Sequence, residues 1–329
     1  MLGRLISITL VVLIFCSLAH AQDSRAAAAT SYIERGRTWF ARGEWDKAFT
    51  DFDLAVASDP RMAEAWYDRG LVRHLKGDEQ GALTDFSRAL EINPRFVEAY
   101  VNRSAIRYLK GDLDGVISDN TRAIELRPRL AEAYGNRGLA LRDKGDLDAA
   151  LADFDISIMI NPRLAATWNS RGMARQRKGD LPGAISDHSK AIELDPRFAG
   201  AYSDRGSARQ RGGDVDGAIA DYDRALELAP DLVCALFNRA GASRTGGRYD
   251  QAIADYSRVI ELDPRYADAY ALRGVSLLMT GNEAEAQKDF DQCLALNDKL
   301  RASLNELIRG ANQQLAAKRQ VALIVRLWD

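Results

Sequence analysis

Proline returns every 34 residues along this chain, at Pro60, Pro94, Pro128, Pro162, Pro196, Pro230 and Pro264, and only Pro182 falls outside the series. A fixed period of this length means that one small unit is stacked on copies of itself. With each proline set at register position 32, the repeats begin at Ala29, Ala63, Val97, Ala131, Ala165, Ala199, Val233 and Ala267, and Asp298 stands in the last proline position. Position 15 is glycine in all eight: Gly43, Gly77, Gly111, Gly145, Gly179, Gly213, Gly247 and Gly281. Glycine reaches the left-handed conformation that ends a helix at little cost. The next position is a helix-capping type in Asp78, Asp112, Asp146, Asp180, Asp214 and Asn282, with Glu44 and Arg248 as exceptions. Proline at 32 cannot continue the second helix. Each repeat therefore predicts helix, turn, helix.

The apolar columns tell how the two helices pack. Position 4 is large (Tyr32, Trp66, Tyr100, Tyr134, Trp168, Tyr202, Leu236, Tyr270). Position 8 is small (Gly36, Gly70, Ser104, Gly138, Gly172, Gly206, Ala240, Gly274), and positions 20 and 27 are mostly alanine. Small residues bring the helix axes close, and a ring at position 24 (Phe52, Phe86, Phe154, Tyr222, Tyr256, Phe290) fills the gap beside them. Asn120 and His188 break that column in repeats three and five.

These columns over residues 29–300 resemble the tetratricopeptide repeat (TPR) family, with repeats three and seven the weakest copies. The resemblance implies an all-α fold, a right-handed superhelical solenoid of helix-turn-helix repeats with a C-terminal capping helix. The expected units are 29–62, 63–96, 97–130, 131–164, 165–198, 199–232, 233–266 and 267–300, after a linker at 22–28. A cap is expected at 301–320, apolar inward through Leu304, Leu307, Ile308 and Leu315, and an apolar tail at 321–329. That tail, Val321 to Trp328, either continues the cap or inserts into a partner or a second copy.

Position 7 is arginine and position 23 aspartate in every repeat, from Arg35 with Asp51 to Arg273 with Asp289. Each charge sits beside a packing column, so a ladder of half-buried ion pairs is expected, within one repeat or between neighbours.

Before the repeats, Arg4, an apolar run from Leu5 to Phe15, and Ala19-His20-Ala21 have the layout of a secretory signal peptide over 1–21, cleaved after Ala21. The run is short for a membrane span, although an uncleaved anchor is the alternative, and Phe15 before Cys16 argues against lipidation. The mature chain is expected in the periplasm with no integral span. It keeps Cys234 and Cys293, which lack metal or redox spacing and are expected to be small buried residues, not a disulfide.

The formal charge of −2 does not suggest nucleic acid as a partner. Phosphate-loop, nucleophile-elbow and zinc-protease motifs are absent, no cofactor is implied, and His188 sits in a packing column, so no catalytic role is expected. The family's inner helices line a groove that holds peptides or partner helices, mainly through positions 2, 5, 6, 9, 12 and 13. Mapped here, Tyr67, Leu71, His74 and Tyr108, with Leu75, Val101 and Leu109, make an apolar stretch suited to anchoring side chains. Asn136, Arg142, Gln176, Arg177, Gln210, Arg211, Asn238 and Arg244, with Asn169 and Asp204, make a polar stretch suited to peptide backbone or carboxylates. Lysine is missing from these positions, against the family's clamp for C-terminal carboxylates. The expected function is an exported, non-catalytic scaffold for a protein or peptide partner. An accessory role in envelope polysaccharide export or assembly is the alternative.

Overall fold

The computed structural model describes residues 24–326; the expected leader at 1–21 and the end of the tail, 327–329, lie outside the described residues. Helix α1 covers residues 24–41. It is followed by α2 (Trp45–Ser58), α3 (Ala63–Leu75), α4 (Glu79–Ile92), α5 (Val97–Leu109), α6 (Leu113–Leu126), α7 (Ala131–Lys144) and α8 (Leu147–Ile160). Then come α9 (Ala165–Lys178), α10 (Leu181–Leu194), α11 (Ala199–Arg211), α12 (Val215–Leu228), α13 (Val233–Thr245), α14 (Tyr249–Leu262), α15 (Ala267–Met279) and α16 (Glu283–Leu296). A single 3₁₀ turn (Asp298–Leu300) leads into α17 (Arg301–Arg326). No strand occurs among the described residues. The chain divides into two compact halves, one ending at Asn161 and one beginning at Pro162.

The turn chemistry works as the sequence requires. All eight position-15 glycines have φ between 74° and 90°, and no other residue type has positive φ among the described residues. Asp78, Asp112, Asp146, Asp180 and Asp214 each accept from the backbone N–H three residues on. Asn282 does not cap α16; its amide donates to Thr280 Oγ1 instead. The even-numbered helices end one residue short of the pre-proline position, where the backbone turns extended, for example Asn93 at φ −124°, ψ 90°. The large position-4 ring closes over this corner: Trp66 Nε1 donates to Pro60 O, and Trp168 Nε1 to Pro162 O, each at 2.9 Å.

Helices pair in chain order, α3 with α4 through α15 with α16. The position-24 ring lies directly over the position-8 glycine. A Cβ on Gly70 would come within 2.8 Å of the Phe86 ring, and one on Gly138 within 2.7 Å of Phe154. Phe52, Phe86, Phe154, Tyr222, Tyr256 and His188 are all fully buried or nearly so.

The ion-pair ladder forms, and always within one repeat. Arg69 grips Asp85 through Nε and Nη2 at 2.9 and 2.8 Å, and the other seven arginines repeat this two-point contact sixteen residues on. The free Nη1 then reaches position 25 of the preceding repeat: Arg69 to Asp53, Arg103 to Ser87, Arg137 to Thr121, Arg205 to Ser189, Arg239 to Asp223 and Arg273 to Ser257. Each of these six guanidinium groups thus ties its own two helices together and to the helix before them. The same cation stacks on the position-4 ring, closest over Trp66 and Trp168 at 4.7 Å.

Helix α17 docks on the last pair through Leu304 and Ala311, with Leu307, Ile308 and Leu315 beside them, against Val275, Leu278 and Met279. It runs unbroken to Arg326, past residue 320 where the sequence placed the start of a separate tail. No described helix is long and apolar enough to cross a membrane. Cys293 is buried as expected, but Cys234 is exposed, because it lies at the start of α13 beside Ser203; both are free thiols.

Candidate functional site

Within each half, neighbouring odd-numbered helices touch directly, α5 with α7 and α9, α11, α13 and α15 in succession. In each half these first helices form a face that carries the positions expected to meet a partner.

In the N-terminal half, that face contains a cavity of about 260 Å³ lined by Ser104, Ala105, Tyr108, Leu109, Val116 and Leu139, with His74 and Asn136 at its edge. It occurs at the one repeat where three packing columns change together: Ser104 for glycine, Val116 for alanine and Asn120 for the ring. Asn120 is fully buried, donates to Val116 O, and leaves its Oδ1 without a partner. Leu109, in the cavity wall, is 69% exposed, and Leu75, next to His74 in the chain, is 53% exposed. The cavity therefore joins His74, Tyr108 and Asn136 from the expected set. Tyr67 and Leu71 lie lower, packed on Phe86, and Tyr67 also packs on Phe96 and accepts from Asn102. Burial pushes the Tyr67 phenol up to about 12.

In the C-terminal half the expected polar residues mostly satisfy one another. Asn169 accepts from His188 and donates to Asp204 at 2.7 Å; Gln176 donates to Ser207; Gln210 accepts from Tyr222; Arg211 donates to the Gln176 carbonyl at 3.0 Å. Burial, and then the charge of Arg205, pull His188 down to about 4, so it stays neutral. Arg177 is engaged within the fold as well. Asn238 and Arg244 lie on α13, and Arg244 lines a second cavity, of about 560 Å³, against α17.

Arg142 corrects the sequence reading. It is not a surface cation: it is 7% exposed and held by Asp143, whose other oxygen accepts from Tyr108. The sequence signal was the carboxylate beside it, at a position where the other repeats carry alanine, leucine, arginine, threonine or methionine. The cavity at Ser104 and Val116 was likewise missed, although the three simultaneous departures in repeat three were visible. Among the described residues no cluster of histidine, cysteine and acidic side chains is arranged to hold a metal.

Family models described as tetratricopeptide repeat match residues 63–96, 121–163, 169–233 and 267–300, and one described as TPR repeat matches 242–281. No curated protein matches the chain. Several solved structures share the fold. A tetratricopeptide repeat protein from Parabacteroides merdae ATCC 43184 is 16% identical over 76% of this chain and 99% of its own, with a TM-score of 0.63. The Cut9–Hcn1 assembly of APC/C is 14% identical over 84% of this chain and 54% of its own, at 0.65. PilF of Pseudomonas aeruginosa is 17% identical over 64% of this chain and 96% of its own, at 0.56. Two unmatched stretches, 97–120 and 234–241, fall on repeats three and seven, where the columns are weakest yet the helices still form. With these matches and sixteen paired helices carrying the same columns, the chain belongs to the tetratricopeptide repeat family.

Proposed function

We propose that this protein is an exported, non-catalytic scaffold that captures a protein or peptide partner on the face of its odd-numbered helices. One observation carries the reading: the cavity at Ser104 and Val116, with Leu109 of its wall exposed. At about 260 Å³ it lies below the roughly 300–1,000 Å³ of small-molecule sites and is better matched to one large apolar side chain of a partner. Such an anchor in a fitted recess contributes most of the energy in many interfaces. Export rests on the leader-like segment, Arg4 and Leu5 to Ala21. A sugar-binding face would need exposed stacked rings, whereas the Tyr67 ring is taken up by Phe86 and Phe96.

The test is peptide selection on the immobilised protein. Enriched peptides should share a large apolar residue and should be lost on Leu109→Glu. The double change Asn120→Phe with Ser104→Gly rebuilds the ring-over-glycine packing of the other repeats, so it should close the cavity, keep the fold and abolish capture. Enrichment without apolar residues, or capture unchanged in both variants, would remove this site from consideration.

A further inference from the structure

Four arginines were expected on the inner face, and the fold uses three of them itself. Arg142 is held by Asp143, Arg177 is engaged, and Arg211 donates to the Gln176 carbonyl. Arg244 differs. It has no ion pair among the described residues, and its buried Nε has no hydrogen-bond partner. Beside it the Tyr256 hydroxyl, fully buried, is also without a partner. Burial pushes that phenol up, and the Arg244 charge, with Arg244 close enough to act as a donor to the hydroxyl, opposes the rise, so the two groups lie side by side without a well-aligned hydrogen bond. In the preceding repeat the equivalent Tyr222 hydroxyl is satisfied by Gln210.

The internal comparison explains what is missing. Arg142 and Arg244 occupy the same register position, 12. The next residue supplies a carboxylate in one repeat, Asp143, and only Thr245 in the other. Arg244 is half-buried and has no counter-charge of this kind, and a ligand carboxylate would supply the acceptor that its side chain lacks.

The space for such a ligand is present. Arg244 and Thr245 line one wall of a cavity of about 560 Å³, α17 lines the other through Leu307, Gly310 and Gln314, and Val275 and Met279 form an apolar floor. This volume falls within the roughly 300–1,000 Å³ of ligand sites. Glu306, on the α17 wall, faces Arg309 at 3.9 Å and is largely exposed, so it does not neutralise Arg244.

We infer that this cavity is a carboxylate site: Arg244 receives the carboxylate, and the carbon chain next to it lies on Val275, Met279 and Leu307. The carboxylate comes from an acidic side chain of a partner peptide or from a free aliphatic acid. The site is separate from the apolar cavity at Ser104 and does not depend on it.

Calorimetric titration of the full chain tests this with two matched pairs: hexanoate against hexanamide, and acetyl-Leu-Glu-Leu-amide against acetyl-Leu-Gln-Leu-amide. At least one acid should bind about tenfold more tightly than its neutral twin, the worth of one charge-assisted hydrogen bond. Preference confined to the peptide pair assigns the acidic side chain; preference in the hexanoate pair assigns the free acid. Arg244→Gln should erase the difference between acid and amide. Gly310→Leu gives an independent check, because Gly310 lines the cavity and a Cβ there meets open space, so the substitution puts an apolar side chain on that wall. It should raise helix stability and still abolish acid binding. The proposal is overturned if neither acid binds, if acid and amide bind equally, or if Gly310→Leu binds like the parent.

Discussion

Asp119 is held by two arginines and Asp153 by one, which makes the ladder testable one residue at a time. Arg103 grips Asp119 at two points, and Arg107, one turn further on, adds a contact at 2.9 Å. Arg137 grips Asp153, but Leu141 stands where Arg107 would be. Removing Arg137 therefore strands a buried carboxylate, and Arg137→Ala is expected to cost about 3–5 kcal/mol. Arg103→Ala leaves Arg107 in place and should cost roughly half as much. Urea melts of the two variants decide it; equal losses would mean that the neighbouring arginine contributes nothing. A second residue-scale test concerns His188. Its folded pKa is about 4, against about 6.5 in the unfolded chain, so between these values only the unfolded state binds the proton. Stability is therefore complete above about pH 6.5 and is lost as pH falls toward 4. His188→Phe restores the ring of the other repeats over Gly172 and should flatten the dependence of Tm on pH in that window. Much of this was legible in the sequence, since a column repeated eight times reports its own role. The partner of each arginine was not, because it depends on how two helices align in space. The fate of Arg142 was not legible either, because it turned on one neighbour, Asp143, that no other repeat shares.

The elements are set by their ends. Five of the eight turns place a left-handed glycine directly before a capping aspartate, and this pair was readable without any structure. What sequence could not show is that Asn282 leaves its helix uncapped, since an amide has a competing partner in Thr280. Helix α2 also starts without a side-chain cap, at Glu44. Its geometry, φ −86° and ψ 67°, nearly matches that of Asp78 at φ −83° and ψ 72°, which does cap α4. Shortening the side chain by one methylene, Glu44→Asp, should therefore bring a carboxylate onto the N–H of Lys47 and stabilise α2 by about 0.5–1 kcal/mol. The exposed Glu44–Lys47 pair given up in exchange is worth little. A Tm that falls on this change would show that the ion pair, and not the cap, holds the helix start. A hidden pairing also operates at this scale. Arg73, Arg107, Arg175 and Arg209 occur only in repeats with Gly81, Gly115, Gly183 and Gly217, because each arginine lies against the glycine: a Cβ on Gly115 would come within 2.7 Å of Arg107 Cδ.

At the scale of the whole molecule, each helix pair buries its faces only against its neighbours, so the ends of the array are its weak points. The C-terminal end is closed by α17, whose Leu304 and Ala311 cover Val275, Leu278 and Met279. Those three are inner-face positions of the last repeat, so α17 occupies there the kind of surface that other repeats leave open for a partner. Deleting residues 301–329 should uncover this apolar patch without touching a single helix of the N-terminal half. Two consequences are expected together. Amide protection should drop in α15 and α16 first, then in α13 and α14, with α3 to α8 unchanged, because nearest-neighbour terms carry the stability. Carboxylate binding at Arg244 should vanish as well, since one wall of its cavity is α17 itself. Hydrogen exchange read by mass spectrometry on the truncated chain separates this from the alternative. An even loss of protection through α3 to α8 would show that α17 supports the array as one cooperative body, and would remove the basis for treating its two cavities as independent sites.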